Sequence, residues 1–251
     1  MNYKIYPLLN RYSPLYKDFQ FKQFIIQQNK TAMKVGTDGV LLGSWAKVSS
    51  KAERILDIGT GTGLIALMMA QRSTAKVIDA VELNERAYHQ AKENFKASNW
   101  SERLSCFHSS FQIFSNEMEG NYDLIVSNPP FYIATQRTAL EDRDMARHSD
   151  HLRFGELLIG VAKLLNKKGS CAFIIPFSEQ DDFIALAEKN GVFPFQITHV
   201  KGNNESPIRR SLLQFSFVKD EILTKELVIE NSRHIYTKDY IELVKDFYLK
   251  M

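Results

Sequence analysis

The sequence predicts an α/β fold: a mostly parallel sheet of seven strands, helices on both faces, and an antiparallel closing strand. Three observations lead there. From Arg54 onward, apolar strands alternate with amphipathic segments, the pattern of a parallel sheet covered by helices. A glycine-rich turn, 59–63, follows the first of these strands and opens a helix. The segment 122–127 is apolar enough to be a central strand buried on both faces.

In chain order, 54–58 is the first strand, and the glycine turn feeds a helix through Leu64, Leu67, Met68 and Ala70. A second strand over 76–83 precedes a helix from Glu85 to about Ser98. Residues 104–108 make a third short strand, followed by a poorly patterned stretch. After the fourth strand, a long connection runs from Asn128 to about Arg153. A helix carrying Leu157, Leu158, Val161, Leu164 and Leu165 is expected to stop at Gly169, after two lysines. A fifth strand over 170–176 and a helix over 179–190 come next. Segments 193–201 and 211–219 read as an antiparallel closing pair joined by a polar, basic loop. The tail from Leu223 adds a short strand and a helix from Lys238. Ahead of Arg54, 19–26 resembles a strand or hairpin arm and 38–45 a short helix docked on the sheet. The expected organisation is a basic arm over 1–18 and one domain over 19–251. That domain divides into the hairpin and helix (19–50), a core (51–219) and a tail (220–251).

At 251 residues, with 44% hydrophobic and 24% charged side chains, the chain can bury a full core, which excludes a disordered or fibrous protein. The net charge of +3 identifies no polyanionic partner, but its distribution is uneven. Residues 1–34 hold six bases and one acid, a local net of +5, with Tyr3, Tyr6, Tyr12, Tyr16, Phe19 and Phe21 interleaved. Such an arm can hold phosphates and stack on bases, or its aromatics can pack on the domain. Cys106 and Cys171 sit in strands without partners at ligand spacing, as buried thiols of a reducing compartment. With no apolar run of transmembrane length and no secretory signal, the expected location is cytoplasmic.

The first chemical signal is Asp57-Ile58-Gly59-Thr60-Gly61-Thr62-Gly63. Glycines allow a tight turn and let a ligand lie against the peptide, where a Cβ would clash. The spacing is GxGxG rather than the GxGxxG of a dinucleotide cradle, which counts against a nicotinamide oxidoreductase. Glu82 ends the next strand about 20 residues on, where doubly wound folds place an acid on a ribose diol. Two acids and the tighter turn fit an adenosyl ligand without phosphate. A purely structural turn is the bland alternative, and Glu82 at that interval weighs against it.

The second signal is Asn128-Pro129-Pro130-Phe131 after the fourth strand. The prolines remove two donors and fix the carbonyl direction, and the carboxyl edge of such sheets is where ligands bind. The exocyclic amine of adenine is a poor nucleophile because its lone pair is delocalised. The Asn128 side-chain oxygen and the Pro129 carbonyl can accept both amine hydrogens, turning the nitrogen lone pair towards a methyl donor without a strong base. Phe131 offers a face for a flipped base. Asn-Pro-Pro is also a good strand-ending turn in any protein.

Together, the glycine turn, Glu82 and Asn-Pro-Pro-Phe resemble the Rossmann-like class I methyltransferases that act on amines. Further stretches narrow the resemblance: 21–24, 33–43, 55–71, 81–83, 122–131, 146–148 and 211–215. They are similar to the bacterial family that methylates the adenine 3′ of the anticodon in a valine-accepting tRNA, over about 19–219. The resemblance implies S-adenosyl-L-methionine as cofactor and tRNA as partner. It places Lys34, Thr37, Asp38 and Gly39 beside the methionine moiety, with Thr37 or Asp38 also able to cap a helix. It implies that Asp57, Gly59, Thr60, Gly61, Gly63, Glu82, Leu83 and Asn128 line the cofactor site. Where many relatives carry Gly-Asp after the third strand, this chain has Ser109-Ser110-Phe111, leaving a serine hydroxyl, as at Ser110, or the Phe111 amide to bind the adenine.

For RNA, candidate contacts are Arg137, Arg143, Arg147 and His148 in the connection after Asn128, and Lys201, Arg209 and Arg210 in the late basic loop. Four acids share the first segment, so local ion pairs are the alternative there. His148 and His151 lack a third ligand, so no metal is expected. A monomer is favoured. Two alternatives remain open: the same chemistry on another acceptor (ribosomal RNA guanine, DNA adenine or protein glutamine), and a non-catalytic RNA-binding protein on this fold.

Overall fold

A computed structural model describes residues 18–130 and 152–251. It opens with a hairpin of β1 (Phe19–Gln20) and β2 (Ile25–Ile26), then α1 (Thr37–Trp45). The alternating part runs β3 (Arg54–Ile58), α2 (Leu64–Arg72), β4 (Val77–Glu82), α3 (Glu85–Ala97), β5 (Leu104–His108), α4 (Phe111–Glu117) and β6 (Tyr122–Ser127). It continues with α5 (Phe154–Leu164), β7 (Leu165–Pro176), α6 (Gln180–Lys189), β8 (Phe193–Asn203) and β9 (Ile208–Ser216). The tail supplies β10 (Leu223–Ser232), β11 (Ile235–Tyr236) and α7 (Lys238–Val244).

Nine of these strands form one sheet in the order β11-β10-β8-β9-β7-β6-β3-β4-β5. Strands β5, β4, β3, β6 and β7 are mutually parallel, and β9 runs antiparallel between β7 and β8. The seven strands read from the sequence are contiguous, but β8 and β9 do not close the sheet. The tail strand β10 adds parallel to β8, and β11 pairs beyond it.

Alternate residues of each strand enter opposite cores, as a sheet covered on both faces requires. Ile55, Ala172 and Ile174 join α1, α2, α3 and α7 in one core, with Val40, Leu67, Phe95 and Val244. Leu56, Ile58, Phe173 and Ile175 join α4, α5 and α6 in the other, with Phe111, Leu157 and Phe183. Burying each large apolar side chain is worth roughly 1.5–3 kcal/mol.

Several details depart from the sequence reading. The poorly patterned stretch after β5 is α4, capped by Ser110, whose hydroxyl accepts from the Ile113 amide at 3.2 Å. The helix expected to reach Gly169 ends at Leu164, because Leu165 already pairs with Tyr122. Residues 166–169 then bulge out before Ser170 pairs with Leu124. Gly169 is needed for close approach: a Cβ there would lie 2.8 Å from the Tyr122 carbonyl oxygen. Phe19 and Phe21, offered as base-stacking candidates, are used in packing. Phe21 is buried and lies 4.7 Å from the Phe24 ring and 5.8 Å from the Tyr248 ring, joining hairpin to tail. Phe19 is half-buried against Phe21 at 4.8 Å. The remaining aromatics of the arm lie outside the described residues.

Candidate active site

Register sets three strand ends side by side. Ile58 pairs with Val81 on one side and with Ser127 on the other. Gly59, Glu82 and Asn128 each follow one of those residues and so share one level at the carboxyl edge. The Ser127 hydroxyl donates to the Ile58 carbonyl at 2.9 Å, fixing the end of β6 against the start of the glycine turn.

The turn is shaped by backbone conformations that other residues avoid. Gly59, Gly61 and Gly63 have φ of 69°, 58° and 83°. A Cβ on Gly59 or Gly61 would meet nothing within 4 Å, so an open space faces that backbone. At Gly63 it would lie 2.5 Å from the Phe95 ring, so this glycine serves the packing of α3. Asp57 is buried beneath the turn, where its Oδ2 accepts from the Thr60 hydroxyl at 2.6 Å and the Ala66 amide at 3.1 Å. Its Oδ1 is buried and has no hydrogen-bond partner among the described residues. Burial pushes the carboxyl from its usual 3.8 up to about 7; the two hydrogen bonds oppose this and the Glu82 charge adds to it.

Glu82 spans two turns. Its Oε2 accepts from the Gly61 amide and its Oε1 from the Asn84 amide, both at 2.8 Å. Each oxygen keeps a lone pair for a diol, so the carboxylate is oriented before a ligand arrives. Leu83 beside it is 47% exposed. An exposed leucine next to an oriented acid suits the flat face of an adenine.

Asn128 carries the feature that matters most chemically. Its Oδ1 is buried and makes no hydrogen bond among the described residues. An unpaired buried acceptor costs about 1–3 kcal/mol, and such an atom in a folded protein calls for a ligand or a strained role. Pro129 is buried and Pro130 exposed. Phe131, Arg137, Arg143, Arg147 and His148 lie outside the described residues.

The N-terminal block is tied to this site by residues the sequence reading did not single out. Asn94 on α3 is buried, donates to the carbonyls of Gln27 at 2.9 Å and Thr62 at 2.8 Å, and accepts from the Gln27 amide at 3.0 Å. One amide therefore joins the segment before α1 to the glycine turn. The available signal was a polar residue on the apolar face of an amphipathic helix. Lys34 folds back, its Nζ donating to the carbonyls of Gln28 at 2.5 Å and Thr31 at 2.7 Å.

The cap expected at Thr37 or Asp38 is not formed. Gly36 is the N-cap of α1 without a side-chain hydrogen bond. Thr37 is exposed, and Asp38 instead pairs with Arg210 Nε at 2.8 Å. Gly39 is buried against Leu64, 3.0 Å from where its Cβ would be, so its small size serves the contact of α1 with α2. Ser110 is occupied as the α4 cap. The Phe111 ring is buried and would lie 2.5 Å from a Cβ on Gly160 of α5, so that side chain belongs to the core.

The late basic loop also changes. The turn between β8 and β9 is 204–207 and contains no base; Lys201 lies in β8, and Arg209 and Arg210 in β9. Lys201 pairs with Glu226 of β10 at 3.0 Å and Arg210 with Asp38, so both are engaged within the protein. Arg209 is exposed.

Comparison with known proteins gives the family. Residues 33–171, more than half of the chain, match the Methyltransferase small domain family. A tRNA1(Val) (adenine(37)-N6)-methyltransferase of Flavobacterium johnsoniae is 56% identical over 93% of this chain and 100% of its own length. Those of Christiangramia forsetii and Bacteroides fragilis are 53% and 45% identical, each over 93% of this chain and 98% of theirs. The chain belongs to the tRNA1(Val) (adenine(37)-N6)-methyltransferase family.

Among solved structures, a predicted O-methyltransferase from Agrobacterium tumefaciens shares the fold of this methyltransferase. Its TM-score is 0.66 at 16% identity, covering 84% of this chain and 96% of that one. An M. jannaschii TYW2 crystallised with AdoMet follows at 0.53 and 14%, covering 81% and 87%. At these identities the likeness concerns fold alone.

Proposed function

We propose that this methyltransferase transfers a methyl group from S-adenosylmethionine to the N6 amine of adenine 37 in a valine-accepting tRNA. The observation that carries this is the Asn128 Oδ1, without a hydrogen bond among the described residues and level with the glycine turn and Glu82. The donor set suits an adenosyl sulfonium ligand: open backbone at Gly59 and Gly61, a carboxylate already oriented at Glu82, and an unpaired Asp57 oxygen. Gly59, Gly61, Glu82 and Leu83 would hold the ribose and adenine ends, with Asp57 supporting the turn from below. When bound, S-adenosylmethionine supplies an electrophilic methyl group.

Asn128 then does the positioning. Its Oδ1 accepts one amine hydrogen of the target adenine, and the Pro129 carbonyl is the candidate for the other. As positive charge develops on the nitrogen, both hydrogen bonds strengthen, which favours the transition state over the ground state. Phe131 is the candidate stacking face for the extruded base. The Asp38–Arg210 pair and Asn94 hold the segment around Lys34 and Thr37 next to the glycine turn.

The hairpin, α1, α2, α3 and α7 share one core with the sheet, which supports reading 19–251 as one domain. Nucleoside mass spectrometry of tRNA1(Val) tests the proposal. N6-methyladenosine at position 37 should vanish when the gene is deleted and return with wild type; an unchanged level rejects it.

A further inference from the structure

We propose that Phe177 and Arg209 form a nucleotide platform beside the catalytic edge: Phe177 stacks on a base flanking the target adenine, and Arg209 meets the adjoining phosphate. The inference rests on the reading that RNA is the substrate, and it concerns residues outside the donor site and the Asn128 turn.

Two phenylalanines are found among the exposed large hydrophobic side chains of the described residues, Phe107 at 37% and Phe177 at 38%. Phe107 lies on β5, the outermost strand on the far side of the glycine turn. Phe177 directly follows β7, whose neighbour β6 ends in the Asn128 turn. Ser127 is level with Phe173, so Phe177 stands about three residues beyond the level of Asn128. At ~3.3 Å per residue this is roughly 10 Å, a span of a few nucleotides at the ~3.4 Å rise of a stacked strand.

Arg209 is brought to the same place by register. Pro176 pairs with Arg210 at the end of the β7–β9 register; Phe177 opens the short 3-10 turn after β7, and Arg209 is the adjoining residue of β9. Arg209 is the extra residue of a bulge, since Val200 pairs with Arg210 and Lys201 with Ile208, and its side chain is exposed. Arg209 makes no ion pair among the described residues, whereas Arg210 is held by Asp38.

The platform is backed by a closed hydrogen-bond chain. The Phe177 ring meets the His199 ring edge-on at 5.1 Å and 81°. His199 Nε2 and the buried Ser211 hydroxyl both lie 2.8 Å from Gln180 Oε1. An oxygen accepting from both requires a proton on His199 Nε2, which fixes the ring that supports Phe177. An exposed aromatic on a rigid support loses little freedom when a base stacks on it. The acids Glu179, Asp181 and Asp182 at the start of α6 repel phosphates. The backbone therefore passes on the β9 side, over Arg209, while the uncharged base faces Phe177.

The test uses the full chain and the valine tRNA, measuring RNA affinity by fluorescence anisotropy across a salt series and methyl transfer under steady state. Phe177→Ala and Phe177→Leu should each weaken RNA binding and raise KM for tRNA about tenfold, with donor affinity unchanged. Phe177→Trp should restore both, because it returns the π face. Arg209→Ala should lower the slope of log affinity against log salt by about one, a change that Phe177→Ala does not produce. Wild-type affinity and KM in Phe177→Leu overturn the platform, as does an unchanged salt slope in Arg209→Ala. If wild type fails to methylate the tRNA, the proposed activity fails, while the binding and salt arms still decide the platform.

Discussion

Replacing Asp57 by Asn should change how stability depends on pH, and in a direction opposite to most carboxylates. Burial raises the folded-state value from 3.8 to about 7. Between those values the folded state holds a proton that the unfolded chain has released, so stability falls as pH rises. The contribution is fully present below pH ~4 and gone above ~7. A gap of about three pH units at ~1.4 kcal/mol each gives about 4 kcal/mol, of which about 3 kcal/mol is lost between pH 5 and 8. The asparagine variant can still accept the Thr60 and Ala66 hydrogen bonds through one oxygen but cannot titrate. Urea unfolding of both proteins without ligand, at pH 5 and pH 8, isolates the effect. The wild type should lose about 3 kcal/mol relative to the variant on going to pH 8. Parallel stabilities at the two pH values would refute the buried, proton-holding carboxyl.

Two further perturbations separate ligand space from packing. Gly61→Ala should cost about 1–2 kcal/mol from its φ of 58°, remain folded, and lose donor binding by calorimetry, because its methyl enters open space. Gly63→Ala should unfold more readily, with about 1–3 kcal/mol of crowding against Phe95 added. Arg210→Met should weaken donor binding about fivefold while costing no more than ~1 kcal/mol of stability. The exchanged pair Asp38→Arg with Arg210→Asp should recover donor affinity if the ion pair is what places α1.

Legibility in the sequence followed the chemistry of individual positions. β3 and β6 occupy the predicted 54–58 and 122–127 because each is an apolar run ended by residues that cannot continue it, Gly59 and the Pro129-Pro130 pair. The glycine turn, Glu82 and Asn128 were legible for the same reason: their spacing along the chain reports one sheet edge. What escaped depended on contacts between distant residues. Asp38 looked like a cap because its partner, Arg210, is 172 positions away. Lys201 looked available for RNA because Glu226 comes from a tail strand whose pairing to β8 no local pattern announces. α4 is two turns long, too short for its buried Phe111, Phe114 and Ser115 to establish a helical period. Phe177 and Arg209 are 32 positions apart and flank one pair, Pro176 with Arg210, only through the β7–β9 register.

The central claim is that the Asn128 amide oxygen positions the adenine amine, and a single-turnover rate of methyl transfer to tRNA1(Val) at saturating donor tests it most directly. With Asn128→Ala the rate should fall about 10²–10³-fold, while donor affinity stays within about twofold of wild type. A variant that transfers methyl at the wild-type rate would contradict the account.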